Sequence, residues 1–201
     1  MTPPTQQPQP QPRRKTYLDL VVGINGTGKT TFLRRHIVDT GRKALVLTPD
    51  QAEWRNLPTV QTPSQIYNLR GAARIIVDGS EQQLLTISRS YYGGALILDD
   101  AMAYLTFGST SPVMRYIYIR RRQFGVDIFL VAHGLRQIPV QAYTFASHLI
   151  LFATTENISA RKRDLDPQTY SDILRAQQRV NAQCSRTPYA HAIITLDPQL
   201  R

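Results

Sequence analysis

The 201-residue chain has one cysteine, one tryptophan and only 14 acidic residues against 24 lysines and arginines. A lone Cys184 cannot close a disulfide within the chain, which suits a reducing compartment. It also argues against zinc, because one Cys and four scattered His supply no ligand pattern. No apolar run approaches the ~20 residues of a spanning helix. The N-terminal "TPPTQQPQPQP" offers no apolar core of a secretory signal. A soluble intracellular protein is therefore expected. The scarcity of acids leaves a formal charge of +10. Such a field attracts polyanions, nucleic acid above all; a solvated basic surface or contact with anionic lipid are the other uses of such charge.

What is present is an ordinary globular composition, 42% apolar, in a length that suits one domain with its own core. The Pro/Gln-rich start cannot bury enough apolar surface to offset chain ordering. Residues 1–15 are thus expected to be a disordered tail, ending in the basic "RRK" (13–15), and residues 16–201 a single domain. Short apolar runs then alternate with helical patterns, the signature of an α/β protein with a mainly parallel central sheet. Strands are expected over 17–22, 44–48, 74–78, 95–99, 126–132, 148–154 and 189–196. Several are apolar throughout, as in strands covered on both faces. Helices are expected from the Gly28–Lys29 step onward, with Leu33 and Ile37 on one face, and over 81–90, 112–123 and 167–182. Pro112 and Pro167 stand where a first helical turn tolerates proline.

The segment "GINGTGKT" (23–30) matches G-x-x-x-x-G-K-[ST] at every fixed position. An apolar strand runs into its first glycine and a helical pattern leaves its last residues, the context the motif needs. Gly23, Gly26 and Gly28 permit a tight loop, so the backbone N–H groups of Gly23, Ile24, Asn25, Gly26, Thr27, Gly28, Lys29, Thr30 and Thr31 can converge on phosphate oxygens. The helix behind presents its positive dipole end to the same anion. Lys29 can reach the β- and γ-phosphates and the Thr30 hydroxyl can ligate Mg²⁺. The motif implies a nucleoside triphosphate site.

"ALILDDAMAYL" (95–105) is an apolar strand ending in two acids. An Asp at such a strand end holds the Mg²⁺ water shell, the role assigned to Asp99. Asp100 is then placed to deprotonate an attacking water. The alternative is a capping pair at a strand-to-helix turn. The second acid favours hydrolysis over simple binding or transfer of phosphate to a small molecule.

The P-loop, the strand ending in two acids and the later "RRRQFGVDIFLVAH" (120–133) together resemble the FtsK/HerA superfamily of DNA-pumping ATPases. The resemblance is to its compact viral branch, the genome-packaging ATPases of double jelly-roll viruses, and runs from about Leu18 to Leu196. It implies a RecA-like P-loop NTPase fold. It also implies an arginine acting on the neighbouring subunit's nucleotide, for which Arg121 and Arg122 are the candidates, and hence a ring oligomer. The dipole of a helix end favours cations there in any case. The family usually carries Asp-Glu where this chain has Asp99-Asp100. It usually carries a γ-phosphate-sensing Gln, on the strand between the P-loop strand and the acid strand, where this chain has His133. That histidine is either a sensor or a strand cap.

Motors of this type grip nucleic-acid backbone with basic loops. The candidate is "SARKRD" (159–164), with Arg161, Lys162 and Arg163; Arg13 and Arg14 of the tail are a second possibility, and a solvated charged loop is the alternative. No recognition-helix pattern for reading a DNA sequence is present. The resemblance thus implies an ATP- and Mg²⁺-dependent translocase that packages double-stranded viral DNA into a capsid. Its partners would be double-stranded DNA, copies of itself, and a capsid or portal protein, in the host cytoplasm or the virion. Rival expectations are a phage export or conjugation ATPase, which usually brings a membrane helix, and a nucleotide-binding regulatory or scaffold protein that never moves DNA.

Overall fold

The structure, a computed structural model, describes residues 15–104 and 111–200. The Pro/Gln tail with Arg13 and Arg14, and the end of "AMAYL" at Leu105, lie outside the described residues. Seven strands alternate with helices: β1 (Leu18–Val22), α1 (Lys29–Leu33), β2 (Ala44–Thr48), α2 (Pro63–Tyr67), β3 (Ala72–Ile76), α3 (Glu81–Ser90), β4 (Gly94–Leu98) and α4 (Pro112–Phe124). There follow β5 (Val126–Ala132), α5 (Val140–Phe145), β6 (His148–Phe152), α6 (Pro167–Cys184) and β7 (His191–Thr195). The sheet order is β3-β2-β4-β5-β1-β6-β7. All neighbours run parallel except β7, which closes one edge antiparallel to β6. This is the expected α/β P-loop NTPase architecture. The strand expected at 74–78 lies two residues earlier, at Ala72–Ile76.

The apolar strands are explained by cover on both faces. Leu18, Leu20 and Val22 of β1 point into one core with α2 to α6, while Val21 points into a second core with Leu33, Ile37 and Trp54. Alternate residues of one strand necessarily face opposite sides. β5 is buried along its whole length, as befits the centre of the sheet. In β7 buried and exposed residues alternate, with Ile193 exposed, as on an edge.

Helix starts are chemically explicit. Ser80, Ser111 and Asp166 each accept a backbone N–H from the first turn of α3, α4 and α6. α2, not among the expected helices, carries a full capping box between Thr62 and Gln65 with proline in its first turn. After Leu33 the expected helix continues as a π turn, Arg34–Val38, that still buries Ile37.

Candidate active site

β1, β5 and β4 end side by side, so the segments that follow them meet at the carboxyl edge of the parallel sheet, the usual ligand crevice of such sheets. A cavity of about 530 Å³ opens there, lined among others by Gly26, Lys29, Thr30, Asp99, Asp100 and His133. The loop leaving β1 is fixed at its base: Gly23 N donates to Ala132 O at 3.2 Å and Ile24 N to Ala153 O at 3.0 Å. Gly23 is required by space, because a Cβ there would stand 2.5 Å from Phe152 Cβ. Gly28 is required by conformation (φ +96°) and by the Tyr189 ring, which would meet a Cβ at 2.4 Å. Thr27 Oγ1 donates to Ile24 O at 2.7 Å and tightens the loop. Asn25, Gly26, Thr30 and Thr31 all line the same cavity.

Lys29 Nζ donates to Gly23 O at 2.6 Å and Ile24 O at 3.1 Å, which holds the ammonium under the loop. Its other near neighbour is His133 Nδ1, at 3.5 Å. Burial lowers the Lys29 pKa, and the charges of Asp99, Asp100 and Glu53 oppose that shift. The Lys29 side chain lies beside the three acids and faces the cavity.

Asp99 leaves β4 half-buried, and its Oδ2 accepts a hydrogen bond from Trp54 Nε1 at 2.7 Å. Desolvation raises the Asp99 pKa, and the indole bond is the largest influence against it. Asp100 has φ +56° and ψ +78°, and precedes a short 3₁₀ turn without making a side-chain capping bond. The capping explanation of the acid pair is therefore unsupported: Asp100 Oδ1 is buried without a partner. A left-handed backbone and an unpaired buried oxygen are both uncommon in a residue that serves local packing alone. Tyr104 Oη is likewise buried without a partner, and the two acid charges add to the desolvation that raises its pKa.

His133 follows β5, the strand between β1 and β4, and lines the cavity. Its backbone N donates to Gln137 Oε1 at 2.8 Å, which fixes the turn. Glu53 and Tyr189, both missed in the sequence, also line the cavity. The oxygen donors Thr30, Asp99, Asp100 and Glu53 suit a hard cation such as Mg²⁺. Among the described residues no group of acids or histidines forms a cage by itself.

The arginine candidates separate sharply. Arg121 is only 6% exposed. It donates to Tyr118 O at 2.6 Å and Phe145 O at 3.2 Å, tying α4 to α5. Burial, followed by the adjacent Arg122 charge, lowers its pKa. Arg121 is a structural clamp here and not an outward-reaching group. Arg122 is exposed. Both precede β5, so they lie at the sheet edge opposite His133, roughly 20 Å away at ~3.3 Å per strand residue. In the basic loop, Arg161 is also committed. It donates to Arg136 O at 2.6 Å, to Ile138 O at 2.7 Å and to Asp164 Oδ2 at 3.3 Å. Lys162 and Arg163 are exposed, and so is Arg136, which sequence reading passed over.

No protein-family model matches the chain, and no curated protein matches it in sequence. Solved structures do match. The genome packaging NTPase B204 of Sulfolobus turreted icosahedral virus 2 in complex with AMP superposes with a TM-score of 0.73 at 14% identity, over 92% of this chain and 94% of that one. The same protein in complex with AMPPCP gives 0.69 at 14% identity, over 90% and 93%. B204, the DNA-packaging ATPase of Sulfolobus turreted icosahedral virus, gives 0.62 at 15% identity, over 88% and 96%. At these identities the likeness is one of fold, and it is the P-loop ATPase fold that the FtsK/HerA resemblance implied.

Proposed function

We propose that the chain is an ATP-hydrolysing motor that moves double-stranded DNA, with packaging of a viral genome into a capsid as its task. The observation that carries the reading is the convergence of the Lys29 loop, Asp99, Asp100 and His133 on one cavity. The NTPases of the same fold were solved with AMP and AMPPCP, which supports ATP as the ligand. Its phosphates fit the loop 23–31, and its nucleoside end would pass Tyr189 into the adjoining cavity of about 660 Å³, lined by Arg186 and His191.

In this mechanism the loop N–H groups and Lys29 bind the β- and γ-phosphates. Thr30 and Asp99 would hold Mg²⁺, whose charge offsets that of the phosphates. Asp100, free of any capping bond, accepts the proton of a water that attacks the γ-phosphorus as ADP departs. His133 donates a hydrogen bond to a γ-oxygen. Arg122 stands at the far edge from its own site, so its role is on a neighbour's nucleotide, which makes turnover depend on ring assembly. Lys162, Arg163 and Arg136 would contact DNA phosphates without reading sequence. A capsid or portal protein would be the docking partner, in the host cytoplasm or virion.

The direct test is displacement of a third strand from a linear triplex. The motor reading expects ATP-dependent displacement by the wild-type chain and none by Lys29→Ala. Hydrolysis without displacement would leave a nucleotide-hydrolysing scaffold instead.

A further inference from the structure

The loop after β2 is unusually well anchored for a surface connection. Asp50 Oδ1 accepts from Ala52 N at 2.7 Å. Arg74 of β3 donates to Gln51 O at 2.8 Å and to Glu53 O at 2.6 Å, and Leu57 N donates to Trp54 O at 2.8 Å. Within that frame Trp54 has φ +56°, a backbone that bulky residues adopt only when the surroundings over-determine it. The ring is 2% exposed, and the Arg34 guanidinium lies over it, 5.4 Å from its centroid. Packing alone asks only for a large apolar ring. It does not call for a strained residue whose one polar atom reaches Asp99 Oδ2, 45 positions along the chain.

We propose that Trp54 is a positioning residue for the metal-holding carboxylate. Its indole N–H pins Oδ2 of Asp99 and leaves Oδ1 for the magnesium–nucleotide in the cavity. This rests on the ATPase reading of the same site. The chemistry is that of an outer-shell donor: a hydrogen bond fixes the rotamer of the ligating side chain, and its loss weakens metal affinity about 10- to 100-fold. The bond matters more here because Asp99, Asp100 and Glu53 crowd one cavity. An unpinned Asp99 has no fixed rotamer with which to meet the cation, and repulsion from the other acids adds to the disorder.

The chain has one tryptophan, so its emission reports on the surroundings of Trp54 alone. Trp54→Phe keeps an aromatic ring in the core and removes the N–H donor together with part of the indole's bulk. Binding is read from the anisotropy of a ribose-labelled ATP analogue over a series of Mg²⁺ concentrations. The variant is expected to match wild type without Mg²⁺ and to need ~10- to 100-fold more Mg²⁺ to reach its tight-binding state. Equal Mg²⁺ requirements would overturn the proposal alone. Binding of no nucleotide by the wild type would overturn the ATPase reading, and this inference with it. If Trp54→Phe does not fold, the wild type decides: adding Mg²⁺ to nucleotide-saturated protein should change Trp54 emission, and Asp99→Asn should abolish the change. Constant emission in the wild type would overturn the proposal.

Discussion

Asp100 and Asp99 are adjacent and chemically identical, yet the fold gives them different surroundings. Asp99 is clamped by an indole, whereas Asp100 sits in a left-handed turn with an oxygen that no protein group satisfies. Asp100→Asn keeps the shape and removes the base. Hydrolysis should fall ~10²- to 10⁴-fold with ATP affinity nearly unchanged, read by single-turnover rates beside equilibrium binding. A comparable loss of affinity would assign Asp100 to binding. A second residue-scale pair lies at the opposite sheet edge, where His148 Nδ1 meets Asp19 Oδ1 at 2.8 Å. That bond raises the His148 pKa above its ordinary 6.5, against the desolvation that lowers it. A raised folded-state pKa gives stability that is fully present below the unfolded value and lost as pH climbs through the folded one. The melting temperature of wild type should thus decline from pH 6 to pH 8 more than that of Asp19→Asn. Parallel declines would show that the pair contributes nothing.

At the scale of elements, α4 teaches the most. Met114, Ile117, Tyr118 and Arg121 are its buried residues, at helical spacings of three and four. The periodicity that marks Arg121 as inward was therefore legible, although a run of three arginines reads by composition as one exposed cluster. Arg121→Ala should lower the melting temperature, since it strips carbonyl partners at Tyr118 and Phe145. Arg122→Ala should leave it within a degree or two and depress ATPase turnover in concentrated solution. The reverse pattern, seen by calorimetry and steady-state rates, would move the proposed role on a neighbour's nucleotide from Arg122 to Arg121. The strands were legible because buried parallel strands are apolar runs bounded by turns. The P-loop was legible because its spacing is local. Trp54, Glu53 and Tyr189 were not, because "DQAEWRNL" and the segment before β7 carry no period, and their roles arise from contacts across the fold. The commitment of Arg161 to the carbonyls of Arg136 and Ile138 is equally invisible in a basic hexapeptide.

For the whole molecule, the nucleotide cavity and the exposed cations Lys162 and Arg163 share one end of the sheet, while Arg122 occupies the other. In the proposed reading a single copy carries one phosphate-binding loop and, in Arg122, an arginine out of reach of it. That division makes sense if copies meet head to tail, each completing the next one's site. The net charge of +10 favours a polyanionic track. The most direct measurement is ATP turnover per subunit as a function of protein concentration, with and without linear double-stranded DNA. Turnover that rises steeply with concentration, rises further with DNA, and loses the concentration dependence in Arg122→Ala is the expected result. Flat turnover that ignores DNA would contradict the account of a motor with shared sites.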